Sequence, residues 1–375
     1  MRVEPSVPGD VLSRVLAPFE AAGGQRIDAP LLQPLNLLLD LAGEAMRARL
    51  FVVQSEGGAE SCLRPDFTVA IARQHLDRGL VAGRYVYQGP AYRASSGSDR
   101  PEEFVQTGLE VFSADQPTAH ADAEIAGLAW AAASAGGRED LSLWLGDVAL
   151  FAAFIDSLEL SEALARRLKR VAGRPRLLAA ELARAGQPAV TAGGRLAGLL
   201  SGLSEPEAAA LLEEVWALAG VEPVGGRGPA EIASRLVRKS DAASALALTE
   251  VQAEAIRAFM AIDDTPTAAF ARVRTLAGSR APALDAALGL WGERLALLET
   301  VTPPGCMRFT PSLGHAFDYY DGITIEVRSA ALGPDLPVAV GGRYDSLLAR
   351  LGGRGDLHAV GCMVRPWRAW AGGAA

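Results

Sequence analysis

Two segments on either side of a polar turn determine the fold of this chain: YVYQGPAYR at residues 85–93 and EEFVQTGLE at residues 102–110. Both are rich in Tyr, Val and Phe and alternate in polarity over short runs, which is typical of half-buried β-strands. The turn at residues 94–101 contains Ser, Gly, Asp, Arg and Pro. The two segments are therefore predicted to form a long antiparallel hairpin.

Polar residues on this hairpin are candidates for ligand binding. Strand side chains alternate, so Gln106, Gly108 and Glu110 share one face of the returning strand. Gly108 is predicted to leave space for a ligand between the two polar residues. Arg93 and Arg100 are suited to bidentate contacts with a phosphate or a carboxylate. The alternative is an exposed hairpin with ordinary surface charges.

A second cluster, LRPDFT, lies at residues 63–68. If this segment is extended, Asp66 and Thr68 point to one face, and together they can receive an amino group. The alternative is a helix start, with Asp66 or Thr68 as the N-cap of the helix that follows.

A third cluster, SLGHAFDYYDGITIE, lies at residues 312–326 and predicts a turn followed by a strand. Tyr319 and Tyr320 supply flat rings with polar tips, which suit the surroundings of an imidazole. His315 is by itself more typical of a structural histidine than of a catalyst. Further on, GGRYD at residues 341–345 lets the backbone pass close to a ligand or another chain. It is not a nucleotide loop, because GxGxxG and GK[ST] are absent nearby.

The composition divides the 375 residues into three stretches. Strand-like runs occur at residues 1–148 and 303–375, whereas residues 149–302 are rich in Ala, Leu and Arg and helical in periodicity, with helix starts expected at Pro266 and Pro282. We therefore predict an α+β domain, residues 1–148 with 303–375, that is interrupted by a helical insertion at 149–302. A tandem of two domains also fits the composition.

Several classes of protein are excluded by the bulk properties. The net charge of −8 provides no long-range attraction for nucleic acid. The start lacks a signal pattern, and the longest uncharged apolar stretch is shorter than the about 20 residues that span a bilayer, so a cytoplasmic protein is expected. Cys62, Cys306 and Cys362 lie far apart, which indicates buried thiols. No metal or cofactor motif is present, so none is expected.

Taken in order, these motifs resemble the core of a class II aminoacyl-tRNA synthetase, and specifically that of histidyl-tRNA synthetase. The resemblance covers roughly residues 10–145 and 303–368 and implies an antiparallel sheet flanked by helices. The matching segments are RIDAP at 26–30 (the dimer-forming motif 1), LRPDFT at 63–68 (LRPE-x-T), residues 89–110 (motif 2), FDYY at 317–320 (LDYY) and GGRYD at 341–345.

Three departures from the synthetase pattern concern catalysis and tRNA binding. His315 stands where the synthetase has its catalytic Arg, and losing such a contact typically costs ~10²–10³ in rate. Arg365 stands where motif 3 has the Gly that admits adenine, so the ATP position is expected to be crowded, although Arg368 still aligns with the final Arg of the motif. The sequence ends at Ala375, so no anticodon-binding domain is expected.

This combination resembles the synthetase-like regulatory subunits of ATP phosphoribosyltransferase. The resemblance implies a chain without catalytic activity of its own that works with the short-form catalytic subunit in the first step of L-histidine biosynthesis. It further implies L-histidine as a feedback effector, homodimers within a hetero-octamer, and neither tRNA nor a membrane as partner.

The candidate histidine-binding residues on this resemblance are Asp66, Thr68, Arg93, Arg100, Gln106, Glu110, Tyr319 and Tyr320. We expect Asp66 to bind the ammonium group, the two tyrosines to frame the imidazole, and Arg93 or Arg100 to meet the carboxylate. Whether this pocket or a subunit interface senses histidine stays open. Two alternatives also remain, namely a free-standing histidine-activating enzyme and a scaffold whose pocket is a relic.

Overall fold

The computed structural model describes residues 1–95, 100–116, 118–172, 175–186, 206–207, 209–211, 213–214, 248–277, 282–313 and 319–373. The chain divides into two compact units, Met1–Phe154 with Phe259–Ala375 and Ile155–Ala258. The second unit is shorter than the helical segment of residues 149–302 proposed from composition, because residues 149–154 and 259–302 belong to the first unit.

The described strands form two sheets. In chain order they are β1 Gln25–Arg26, β2 Leu32–Pro34, β3 Val52–Gln54, β4 Glu60–Leu63, β5 Gly83–Tyr92, β6 Glu103–Ser113, β7 Leu141–Asp147, β8 Met307–Phe309, β9 Ile323–Ser329, β10 Ala339–Arg343 and β11 His358–Val364. The large sheet has the order β1-β5-β6-β11-β10-β9-β7-β8, and the small one has the order β2-β4-β3. The pairs β1–β5 and β7–β8 are parallel, and the inner pairs of the large sheet are antiparallel.

The hairpin predicted at residues 85–110 is formed by β5 and β6, with Tyr87 opposite Gly108 and Gly89 opposite Gln106. On its other edge β6 pairs with β11, where Gly361 lies opposite Glu110. Strands from both ends of the sequence therefore share one sheet, and the α+β fold predicted from the motifs is confirmed.

Helices of both units connect the strands along the chain. Those described are α1 Gly9–Ala21, α2 Leu35–Ala42, α3 Thr68–Asp77, α4 Thr118–Ser134, α5 Val148–Asp156, α6 Glu162–Val171, α7 Pro175–Leu182, α8 Glu250–Met260, α9 Pro266–Ala277, α10 Pro282–Leu298, α11 Asp345–Arg350 and α12 Pro366–Ala369, with a 3₁₀ helix at Glu44–Arg49. The helix starts predicted at Pro266 and Pro282 are both observed, as suits a residue whose fixed φ fits the first turn. Alanine-rich α4 packs across β10 and β11 and contacts α1 and α10.

Buried ion pairs explain why α10 belongs with the sheet although its composition resembles that of the helical segment. Arg294 donates to Asp122 of α4 over 2.7 Å and to Asp147 of β7 over 2.9 Å. Trp291 also donates its indole N–H to Asp147, over 2.8 Å. All four side chains are buried, so these contacts anchor α10 in the first unit.

The structural findings on membrane spans, metal-binding groups and cysteines concern the described residues only. There, every helix is too short or too polar to traverse a lipid bilayer. The same residues contain no group of three His, Cys, Asp or Glu that can hold a metal ion. Cys62 and Cys362 are buried free thiols, and Cys306 is a half-buried one.

Candidate functional site

A cavity of about 290 Å³ lies in the first unit, and all eight candidate residues line it: Asp66, Thr68, Arg93, Arg100, Gln106, Glu110, Tyr319 and Tyr320. Further lining residues that the motif analysis did not place in the site include Arg49, Tyr87, Glu326, Asp335, Tyr344 and Arg365. His315 lies outside the described residues.

Asp66 lies in a segment that is anchored two residues earlier by Arg64. Arg64 is buried, donates to the carbonyl oxygens of Ala29 and Pro90, and lies 4.0 Å from the ring centroid of Phe67. Asp66 is 7% exposed, and its Oδ1 has no hydrogen-bond partner among the described residues. Burial raises the pKa of its carboxyl, and the charge of Arg93 opposes this. An unpartnered buried carboxylate oxygen is well suited to a cationic ligand group.

Thr68 reaches the cavity from the start of a helix and not from an extended segment. It is the first residue of α3, and Phe67 occupies the N-cap position without a side-chain hydrogen bond. The alternative of a helix start was therefore right about the helix, although neither Asp66 nor Thr68 is its N-cap. The two side chains meet at the cavity because the chain turns from a loop into a helix, and the extended alternation assumed for this segment is wrong.

The face of β6 that carries Gln106, Gly108 and Glu110 confirms one expectation and contradicts another. Gln106 and Glu110 both line the cavity, as alternation predicts. The space at Gly108 is not open to a ligand, because a Cβ placed there would lie 2.4 Å from the hydroxyl oxygen of Tyr87. Tyr87 thus fills the gap from the neighbouring strand and becomes part of the wall. Gln106 is fully buried, and neither of its amide atoms has a partner among the described residues.

Glu110 accepts a hydrogen bond on each of its carboxylate oxygens. Thr68 Oγ1 donates to its Oε1 over 2.7 Å, and the hydroxyl of Tyr344 donates to its Oε2. A Cβ at Gly361, directly opposite, would overlap this carboxylate, so only glycine leaves room for it. Burial raises the pKa of Glu110 to about 7, and the bonds from Tyr344 and Thr68 oppose that rise. Glu110 can therefore exchange a proton near neutral pH.

Aromatic side chains form one wall of the cavity. The ring centroids of Tyr319 and Tyr320 are 4.9 Å apart, and those of Tyr319 and Tyr344 are 5.7 Å apart. The Tyr319 hydroxyl lies 3.5 Å from Asp66 Oδ2, a long hydrogen bond. The GGRYD motif was the sequence signal for Tyr344, whereas Tyr87 had none beyond its place on a predicted strand.

Arginines concentrate in another part of the lining. Arg93 donates through Nε to the carbonyl oxygen of Pro65 over 2.9 Å, while Arg100 is exposed. Arg365, noted above only as a departure, is buried and donates to the carboxylate of Glu4. Arg368 donates to the carbonyl oxygen of Pro337 over 2.9 Å. The lining thus combines carboxylates and tyrosines with guanidinium groups, which suits a small zwitterionic ligand.

Known proteins resemble this chain over most of its length. The family model described as histidyl-tRNA synthetase matches residues 9–224 and 226–366. The chain is 35% identical over 366 residues to an ATP phosphoribosyltransferase regulatory subunit from Rhizobium meliloti (strain 1021), covering 95% of this chain and 94% of that protein. It is 34% identical over 368 residues to the subunit of the same name from Sinorhizobium medicae (strain WSM419), with 95% and 94% covered.

Solved structures share the fold at lower identity. An ATP phosphoribosyltransferase regulatory subunit/histidyl-tRNA synthetase from Bacillus halodurans superposes with a TM-score of 0.66 at 21% identity, covering 98% of this chain and 80% of that one. Histidyl-tRNA synthetase from Nostoc sp. PCC 7120 has a TM-score of 0.60 at 15% identity, covering 98% and 74%. The chain therefore belongs to the histidyl-tRNA synthetase-like family and, within it, to the ATP phosphoribosyltransferase regulatory subunits.

Proposed function

We propose that this chain binds L-histidine in the cavity and regulates a short-form ATP phosphoribosyltransferase catalytic subunit without catalysing a reaction itself. One observation carries the proposal: the eight residues selected from separate motifs line a single cavity of about 290 Å³. That volume lies just below the roughly 300–1,000 Å³ typical of pockets for drug-sized ligands, which suits a free amino acid.

The unpartnered polar atoms define the chemistry of the amino-acid end. Among the described residues, Asp66 Oδ1 and both amide atoms of Gln106 lack a protein partner. Asp66 and Gln106 Oε1 accept hydrogen bonds from the ligand ammonium in this proposal, and Arg93 with Gln106 Nε2 binds the carboxylate. Each buried polar group then gains a hydrogen-bond partner, and leaving such a group without one costs about 1–3 kcal/mol.

The remaining residues suit an imidazole. Tyr319 and Tyr320 offer ring surfaces, and Glu110 offers a carboxyl whose pKa lies near 7. A carboxylate beside an imidazole N–H accepts its hydrogen bond and favours the ring orientation that the tyrosines enclose. Regulation follows if histidine binds two states of the assembly with different affinity, a coupling that is typically about 1–3 kcal/mol.

The absence of catalysis is supported by the sequence and by the names of the relatives. His315 and Arg365 replace residues that the synthetase uses for its charge chemistry and for adenine. Arg365 also lies in the cavity wall, in contact with Glu4. We propose further that the assembly is a cytoplasmic hetero-octamer containing homodimers of this chain, and that it does not bind tRNA.

The test is to mix this chain with a short-form catalytic subunit and to follow phosphoribosyl-ATP formation with and without histidine. Activation that histidine reverses is the expected result. Activation without histidine binding would identify a scaffold instead. ATP–pyrophosphate exchange with histidine, measured on this chain alone, should be at background, and a clear exchange rate would contradict the non-catalytic proposal.

A further inference from the structure

Residues 2–4 lie along the start of β6 and run parallel to it. The backbone N–H groups of Glu102 and Glu103 both donate to the carbonyl oxygen of Arg2, over 2.8 and 3.0 Å. The backbone N–H of Glu4 donates in turn to the carbonyl oxygen of Glu103 over 2.8 Å. We call residues 2–4 the strap, because they are bonded along the outside of the hairpin that β5 and β6 form.

The side chain of Arg2 joins both stems of this hairpin beyond the ends of the two strands. Its Nε donates to the carbonyl oxygen of Arg100 over 3.1 Å, and its Nη2 donates to that of Ser95 over 2.6 Å. The carboxylate of Glu102 accepts the backbone N–H of Arg2 over 3.0 Å and that of Ser95 over 3.3 Å. A guanidinium group presents its N–H donors in one rigid plane, so a single arginine can hold two carbonyl groups at a fixed separation.

The two stems carry side chains that line the cavity. Arg100 and Arg93 are both part of the lining. Arg100 also provides one of the carbonyl groups that Arg2 binds, and Arg93 lies two residues before the other, that of Ser95. The backbone N–H of Arg93 donates to the carbonyl oxygen of Glu102 over 2.8 Å, which ties the stems together at this level. The strap therefore helps to set the position of Arg93, to which the proposed function assigns the ligand carboxylate.

The strap is attached by polar contacts and buries little apolar surface. At one end Glu4 is 8% exposed and its carboxylate accepts a hydrogen bond from buried Arg365. Val3, in the middle, is 61% exposed, and the side chain of Arg2 is 45% exposed. Segments with few buried apolar contacts open locally at a lower free energy than the core does. A ligand that favours the docked strap can therefore shift its equilibrium between docked and released forms.

We propose that Arg2 is a positioning residue of the histidine-binding cavity and that the strap is docked in the state that binds histidine. In this state the strap holds the two stems, and with them Arg93, in place for the ligand carboxylate. Because linkage is reciprocal, histidine must stabilise the docked strap if the docked strap raises the affinity for histidine. The inference rests on the proposed function for the identity of the ligand, whereas the clamp on the hairpin does not depend on it.

The first test is calorimetric titration of histidine into the full chain and into R2Q, R2K and R14Q. R2Q loses the clamp and should bind histidine about fivefold or more weakly than the wild type does. R2K keeps the positive charge beside Glu102, but one ammonium group cannot reproduce the planar fork, so its affinity should stay close to that of R2Q. R14Q is the matched control, because Arg14 is another exposed arginine near the start of the sequence, paired with Asp10, and it should bind like the wild type.

The second test is hydrogen exchange at the backbone N–H groups of Glu102 and Glu103, which both donate to the strap. Without ligand, these groups should exchange faster in R2Q and R2K than in the wild type and R14Q. In the wild type, saturating histidine should slow their exchange by at least the factor by which R2Q weakens binding, as reciprocity requires. A residue that only supports the fold would not produce this histidine-dependent protection. Urea unfolding of the same proteins shows whether R2Q remains as stable as R14Q.

Unchanged histidine affinity in R2Q would overturn the positioning role of Arg2, and full recovery of affinity in R2K would show that charge alone acts there. Weaker binding without histidine-dependent protection of Glu102 and Glu103 would also reject the strap. If the wild type binds no histidine at all, the proposed function fails. In that case faster exchange in ligand-free R2Q still supports the clamp on the hairpin, and unchanged exchange rejects the clamp as well.

Discussion

The hydroxyl of Thr68 donates a 2.7 Å hydrogen bond to Oε1 of Glu110, and the two residues are 42 positions apart in the sequence. This bond joins the first residue of α3 to the middle of β6 at a buried point of the cavity. Tyr344, from the segment between β10 and α11, donates to the other oxygen of the same carboxylate. Three segments that are distant in the sequence therefore meet at Glu110. The pKa of its carboxyl depends on the hydrogen bonds that the other two segments donate to it.

The pH dependence of stability should depend on Glu110. Its pKa is about 7 in the folded chain and 4.5 for an ordinary glutamic acid, so the folded state binds the proton more tightly than the unfolded state does. The stabilisation from that proton is fully present below about pH 4.5 and is lost as pH rises through about 7, a change of up to about 3 kcal/mol. Urea unfolding of wild type and E110Q at pH 5 and pH 8 measures it. The stability of E110Q relative to wild type should increase between the two pH values, and a constant difference would contradict the prediction.

Asp66→Asn should weaken histidine binding without lowering the stability of the folded chain. The substitution removes the carboxylate proposed to bind the histidine ammonium, so affinity should fall about 10- to 100-fold by calorimetry, as expected for a charged hydrogen bond. Burial raises the pKa of Asp66, so its charge destabilises the folded state, and D66N should be as stable as the wild type or more stable at pH 8. D285N, at an exposed aspartate, is the control. Weak binding accompanied by an equal loss of stability would point to a structural role only.

Tyr344→Phe removes one hydroxyl and keeps the ring. The Glu110 carboxylate then loses a donor while buried, which should cost about 1–3 kcal/mol in the free energy of unfolding. Because the bond from Tyr344 lowers the pKa of Glu110, the loss should be larger at pH 8 than at pH 5. Y92F serves as the control, since the Tyr92 hydroxyl makes only a 3.5 Å contact with Glu103. Equal losses at both pH values would argue against this coupling.

Asp122 is the centre of a buried ion-pair group that is separate from the cavity lining. Nη2 of Arg294 lies 2.5 Å from Oδ2 of Asp122, and Nη2 of Arg343 lies 2.7 Å from Oδ1 of the same carboxylate. D122N leaves both cations short of a buried partner and should cost about 3–5 kcal/mol in the free energy of unfolding. D263N removes the exposed partner of Arg308 and should cost at most about 1 kcal/mol. Urea denaturation compares the two variants, and a similar small loss in both would contradict the buried network.

The sequence predicted which residues line the cavity, but it did not predict the local structure that brings them there. Asp66, Thr68, Gln106 and Glu110 all line the cavity, yet Thr68 arrives there through a helix start and Gly108 faces Tyr87 instead of a ligand. The boundaries proposed for the helical segment also differ from those of the compact unit Ile155–Ala258. The ion pairs of Arg294 tie α10 to the first unit, and amino-acid composition does not predict such contacts.

The amino-acid sequence by itself determined the hairpin, the facing of Gln106 and Glu110, and the order of motifs that identifies the family. These features repeat with the period of a strand or lie within a few residues of one another, so local steric rules specify them. Only the tertiary structure placed Tyr87 beside Gly108 and Glu4 on Arg365, a contact across 361 positions. Such contacts depend on the register and order of strands in the sheet, because packing of the whole core, and not any local pattern, decides which distant side chains meet.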